Sequence, residues 1–142
     1  MKAYFETSAI VKLVLFEPGW DDAGELWSGS DQVVTSPLAY AETRAAIAAA
    51  SRARRLSAEG VVEAKRALDA RFLELDLVEV SQSVVRRAGD LAEKHALRGF
   101  DAVHLSSAAE LGRKATLLVT WDRRLARAGR EEGLEIAGAS VA

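Results

Sequence analysis

Four carboxylates stand in this chain at positions where a carboxylate is expensive. Glu6 follows the apolar, strand-like start of "MKAYFETSAIVKL", and Asp122 follows the strand-like run "TLLVT". Glu42, in "SPLAYAETRAAIAAA", shares a helical stripe with Leu38, Ala45, Ala46 and Ala49, so a face of small residues presents an acid. Asp101, in "LRGFDAVHLSSAAE", begins a helix whose next turns offer Val103, Leu105, Ala108 and Ala109 to a core. Taking a carboxylate out of water costs free energy unless a partner compensates it. Four that converge also repel one another, and a proton or a cation must relieve them.

Each acid taken singly has a plainer explanation. Asp101 and Asp122 stand at helix starts, where a carboxylate stabilises the first turn by about 0.3 to 1 kcal/mol. Glu42 can reach water from the edge of its stripe, and Glu6 can be a solvated strand end. Only the constellation carries a functional reading.

The elements that must position these acids alternate in type. Ala3 to Phe5 reads as a short strand, after which Thr7 or Ser8 caps a helix that ends before Pro18 and Gly19. Gln32 to Thr35 is a second strand; Ser36 and Pro37 form an N-cap and first-turn pair for an Ala-rich helix to about Ser51. Ser57 opens a helix to about Leu75, Leu77 to Val80 is a short strand, and Ser81 starts a helix ending near His95. Gly99 breaks the chain and Phe100 or Asp101 starts the next helix. Thr116 to Thr120 is the clearest strand, Asp122 caps a short helix, and Leu134 to Ile136 form an edge strand. Parallel strands need crossover connections and bury both faces, so the alternation predicts an α/β fold, a three-layer α/β/α sandwich around a central parallel sheet. Ligands bind such sheets beyond the carboxyl ends of the strands, where Glu6 and Asp122 fall.

Composition narrows the classes. The 142 residues fit one domain, 1–142, and 49% hydrophobic with 28% charged residues is a globular balance rather than a disordered one. A formal net charge of −2 gives no whole-chain attraction to nucleic acid or an anionic membrane, so a polyanion site must be local. With no cysteine, disulfides and thiolate metal sites are excluded. The sequence shows neither a signal-type N-terminus nor an 18-residue apolar stretch, and a cytoplasmic protein without a membrane segment is expected.

Together "YFETSAIVKL", "PLAYAETRAA", "LRGFDAVHLSSA" and "LLVTWDRRL", in that order over nearly the whole chain, resemble a PIN-domain ribonuclease of the VapC toxin type. The resemblance implies a toxin that cleaves RNA with a divalent metal and is restrained by a cognate VapB-type antitoxin. It implies catalytic and metal-binding roles for Glu6, Glu42, Asp101 and Asp122, although that family usually carries Asp where this chain has Glu6. Mg²⁺ prefers oxygen ligands and keeps several waters, and Mn²⁺ accepts the same set. Glu6 and Asp101 are the expected principal contacts, with Glu42 and Asp122 completing the ring directly or through water.

Other residues support or compete with this reading. Thr7, Ser8 and Thr120 lie beside the acids and can orient metal-bound waters, although capping and strand propensity also explain them. Arg123, Arg124 and Arg127 flank Asp122 and are candidates for RNA phosphates; Arg52, Arg54 and Arg55 read as a solvated face. His104, alone in a helix, reads as a packed or hydrogen-bonded residue, and His95 as a favourable charge at a helix C-terminus. The apolar helices leave surface for an antitoxin and for homodimerisation. Glu6 keeps open the alternative of a catalytically weakened RNA-binding or interaction module of the same fold. A phosphoacceptor receiver domain fits poorly, because it needs an early acidic pair and a late Lys where this chain has a single acid and "VTWDRR".

Overall fold

Alternate residues of the central strands enter opposite cores, and this pattern organises the whole molecule. The computed structural model describes residues 1–139, so the last three residues of the expected 1–142 domain lie outside it. The strands are β1 (Lys2–Phe5), β2 (Gln32–Thr35), β3 (Asp76–Leu77), β4 (Thr116–Thr120) and β5 (Glu135–Gly138). They form one parallel sheet in the order β3-β2-β1-β4-β5. The helices among the described residues are α1 (Thr7–Leu15), α2 (Trp20–Gly29), α3 (Leu38–Arg52), α4 (Ala58–Glu74), α5 (Gln82–His95), α6 (Gly99–Glu110) and α7 (Arg123–Glu131).

Ala3, Phe5, Val33 and Val119 pack with α1 to α4 on one face of the sheet. Tyr4, Val34 and Leu118 pack with α5 to α7 on the other. A period of two thus sends successive side chains into two cores, which makes the expected three-layer sandwich. The chain winds from β1 outward through β2 and β3, then returns to the other side of β1 as β4. The reversal of winding lies between β1 and β4, and the crevice beyond their carboxyl ends is where a ligand site forms in an open α/β sheet.

Several local expectations are corrected. Glu6, rather than Thr7 or Ser8, is the N-cap of α1, because its longer side chain curls back to accept the Ser8 backbone N–H. Residues 20–29 carry no expected element yet form α2; only Ala23 and Trp27 are buried there, too narrow a stripe to set a visible period. The third strand is Asp76–Leu77 rather than Leu77 to Val80, since β2 ends at Thr35 and offers no further ladder. Gly99 opens α6 instead of breaking the chain, which leaves Asp101 in the first turn and Arg98 at the cap. The buried stripe of α3 is Ala39, Thr43, Ile47 and Ala50, while Ala45 and Ala49 are exposed; Glu42 stands at its border. Helix α3 begins at Leu38, whose N–H is accepted by Ser36 Oγ, and β5 runs one residue later than expected at its start.

Candidate active site

Two hydrogen-bonded nodes occupy the carboxyl ends of β1 and β4. The first is built on Glu6, which is only 5% exposed. Its backbone N–H still bonds Val119 O at 3.0 Å, so β1 carries it into the crevice before α1 begins. Glu6 Oε2 accepts three donors: Ser8 N at 3.1 Å, Ser8 Oγ at 2.5 Å and Thr120 Oγ1 at 2.7 Å. Each hydroxyl also receives a backbone proton, Ser8 Oγ from Trp121 N at 2.8 Å and Thr120 Oγ1 from Asp122 N at 3.0 Å. The start of α1 is thereby tied to the end of β4 and the start of α7. Asp122 Oδ1 caps α7 by accepting Leu125 N–H at 3.0 Å, as the sequence suggested.

The second node is built on Glu42. Thr7 Oγ1 donates to Glu42 Oε1 at 2.6 Å, and His104 Nε2 approaches the same oxygen at 2.6 Å. The ring is fully buried, with Nδ1 2.8 Å from the hydroxyl of buried Tyr4 and Nε2 3.2 Å from Thr7 Oγ1. A carboxylate can only accept, so Nε2 carries the proton toward Glu42. In the neutral ring Nδ1 then accepts from Tyr4, whose phenol is pushed up by burial and remains protonated. His104 is therefore the hydrogen-bonded residue expected, but what it holds is one of the four acids. Its partners lie 100, 97 and 62 positions away in sequence, and no local pattern marks them.

The two acids differ in charge balance. Burial raises the Glu6 carboxyl above its ordinary range, only partly offset by nearby His104 and by hydrogen bonds from Ser8 and Thr120. Burial also acts against ionised Glu42, yet the hydrogen bonds from His104 and Thr7 outweigh it and hold this carboxyl below its ordinary range.

Asp101 joins Glu42 across an open cleft of about 380 Å³, lined also by Arg98, Gly99 and Phe100. Arg98 Nε lies 3.3 Å from Asp101 Oδ2. The structure thus sets Glu42 and Asp101 on one cleft, whereas Asp122 is tied to Glu6 only through its backbone N–H on Thr120, its carboxylate being spent on the α7 cap. Among the described residues no group of three His, Asp or Glu side chains is gathered as a ready metal cage. The donor set still suits a hard cation. It is all oxygen, Glu6 Oε1 and Glu42 Oε2 bond no donor among the described residues, and Mg²⁺ takes one or two carboxylates with several waters rather than an all-protein cage. Arg123, Arg124 and Arg127 are exposed beside Asp122, whereas Arg55 pairs with Glu17 at 3.6 Å.

Comparison with known proteins identifies the family. The PIN domain family matches residues 3–131. Ribonuclease VapC49 of Mycobacterium tuberculosis is 41% identical over 138 residues, covering 97% of this chain and 96% of its own length. Ribonuclease VapC46 of the same organism is 33% identical, covering 94% of each. The fold is shared with VapBC2 from Rickettsia felis, solved bound to a promoter DNA fragment, at a TM-score of 0.68 and 17% identity, covering 99% of this chain and 100% of that one. It is shared also with Mycobacterium tuberculosis VapC20, a sarcin-ricin loop cleaving toxin, at 0.65 and 20% identity over 89% of this chain and 95% of that one. With its sheet order, its acids at the strand ends and its identity to ribonucleases of that name, the chain belongs to the PIN-domain family and to its VapC group.

Proposed function

We propose that this chain is a metal-dependent RNA endonuclease and the toxin of a toxin–antitoxin pair, cutting phosphodiester bonds at Glu6, Glu42, Asp101 and Asp122. The observation that carries the reading is the buried Glu6 carboxylate at the β1 and β4 ends, held by three neutral donors with no Lys or Arg bonded to it among the described residues. A charge so placed is relieved by a cation. A divalent ion, Mg²⁺ or Mn²⁺, would supply Lewis-acid polarisation of the scissile phosphate and a water of lowered pKa. Glu6 and Asp101 would hold it, with Glu42 and Asp122 contributing directly or through water. Ser8 and Thr120 fix one oxygen of Glu6 and leave the other for the ion; Thr7 and His104 do the same for Glu42. Arg123, Arg124 and Arg127 hold RNA phosphates beside the acids.

The VapBC name of the fold relatives supports a VapB-type antitoxin as partner. An Arg from such a partner would neutralise the carboxylates bidentately in place of the metal. A homodimer and a cytoplasmic location complete the reading. No helix of the described residues is long and apolar enough to cross a membrane.

One observation favours the second reading, a weakened RNA-binding or interaction module. Glu6 Oε2 also caps α1, a structural task that would keep the residue without catalysis. Purified, antitoxin-free protein incubated with RNA decides between them: cleavage with Mg²⁺ or Mn²⁺ that excess EDTA abolishes is the expected result. Cleavage that persists in chelator overturns the metal mechanism, and RNA binding without cleavage under any divalent ion favours the module.

A further inference from the structure

Phe100 stands 63% exposed at the rim of the acidic cleft. The rest of its helix makes this unusual, because Ala102, His104, Leu105, Ser106, Ser107, Ala108 and Ala109 of α6 are all buried. Phe100 belongs to neither core, and no aromatic ring of the described residues packs on it. The other exposed aromatics, Phe16 and Trp20, pack edge to face on each other at 5.6 Å between centroids. Of the large exposed apolar side chains among the described residues, Phe100 is the one that lines the cleft with Glu42 and Asp101.

Its neighbours leave space and supply charge. A Cβ added at Gly99 would meet nothing within 4 Å, so the cleft is open beside the ring. Arg98 is 81% exposed and reaches Asp101 only through Nε, which leaves the outer guanidinium nitrogens without a partner among the described residues. A bare aromatic face beside a free guanidinium and two carboxylates matches one ligand chemistry, an unpaired nucleobase with its phosphate. Bases stack on aromatic rings whatever their identity, and a duplex withholds its base faces from such a ring.

We propose that Phe100 is a stacking platform for one unpaired base next to the scissile phosphate, with Arg98 holding the adjoining phosphate. This rests on the RNA-cleaving reading above.

The test uses an unpaired RNA oligonucleotide that the parent protein cleaves, the same sequence locked in a duplex, and a series of oligonucleotides with one abasic nucleotide moved along the chain. Phe100→Ala raises KM for the unpaired RNA about tenfold, the loss falling on KM rather than kcat, and thermal melting is unchanged because the ring is outside the cores. Phe100→Trp restores KM, and its indole fluorescence is quenched when the RNA is added in EDTA. One abasic position weakens the parent but not Phe100→Ala, which identifies the stacked base. An unchanged KM in Phe100→Ala, or abasic positions that act equally on both proteins, overturns the stacking role while leaving RNA cleavage standing. A Phe100→Ala protein whose KM holds but whose oligomeric mass or antitoxin binding changes assigns the ring to a protein interface instead. A parent that cleaves no RNA overturns both this inference and the function on which it rests.

Discussion

Glu6 and Glu132 are both nearly buried acids, and the molecule treats them in opposite ways. Glu132, at the C-cap of α7, is held by basic side chains: Lys94 Nζ at 2.7 Å, His95 Nε2 at 2.8 Å and Arg113 at 3.3 Å. Hydrogen bonds from Lys94 and His95 pull its carboxyl down to about 2 despite burial. Among the described residues Glu6 has only hydroxyl and amide donors, and burial pushes it the other way. Where the acid joins α5, α7 and the turn at Arg113, the chain supplies its own countercharge. At the sheet's crevice it withholds one, and the proposed metal site rests on that imbalance.

The sharpest break of that contrast is Glu6→Gln, which keeps the shape and removes the charge. Cleavage falls by at least about 10²-fold, and metal-free melting stays equal or rises, because the native fold disfavours ionised Glu6. Added Mn²⁺ raises the melting temperature of the parent and not of this variant. A Gln variant as active as the parent would make Glu6 only a helix cap. Glu6→Asp refines the result: slower cleavage means the site has adapted to the longer side chain, and faster cleavage means Glu6 is a weakened form of the usual family acid.

Next in size is Tyr4→Phe. It deletes the proton offered to His104 Nδ1 inside the core, costs about 1 to 2 kcal/mol in denaturant melts and loosens Glu42, with cleavage down about tenfold. Nitrogen NMR of His104 in the metal-free proteins reads the cause directly. If the ring shows the same tautomer and mobility in both, Tyr4 does not set it.

Glu132→Gln gives the smallest effect, a loss of about 1 kcal/mol at neutral pH with cleavage unchanged, because its cationic partners are partly solvated. The sign of the pH dependence follows from a lowered carboxyl. Its contribution is complete above the unfolded value near 4.3 and disappears as pH falls toward about 2. Parent and variant melts should therefore converge in acid; a gap that stays constant down to pH 2 would remove the ion cluster as its cause.

Sequence made the acids and the layers legible for different reasons. The strand alternation Ala3, Tyr4, Phe5 and the Asp122 cap are local, so type and spacing reveal them. The service of His104 to Glu42 is tertiary, joining three segments that meet only after folding. The Glu6 cap lies between these cases. Thr7 and Ser8 are better capping residues by type, but both hydroxyls are engaged elsewhere, on Glu42 and on Glu6 itself. Helix α2 escaped because two buried residues make no period, and the α3 stripe was shifted because a run of alanines has no polar face to set its phase.

The pairing of β1 with β4 also sets the order in which this molecule can become an enzyme. Thr120 and Glu6 are 114 positions apart, and the strands that bring them together close the largest loop in the sheet. Such a contact is slow to form, since the entropy of closure is lost before any packing rewards it. On the ribosome, where early segments emerge first, Glu6 and the start of α1 exist long before the strand that completes their site. On the proposed function, the nascent chain thus lacks its complete site through most of its own synthesis, and that site appears among the last acts of folding.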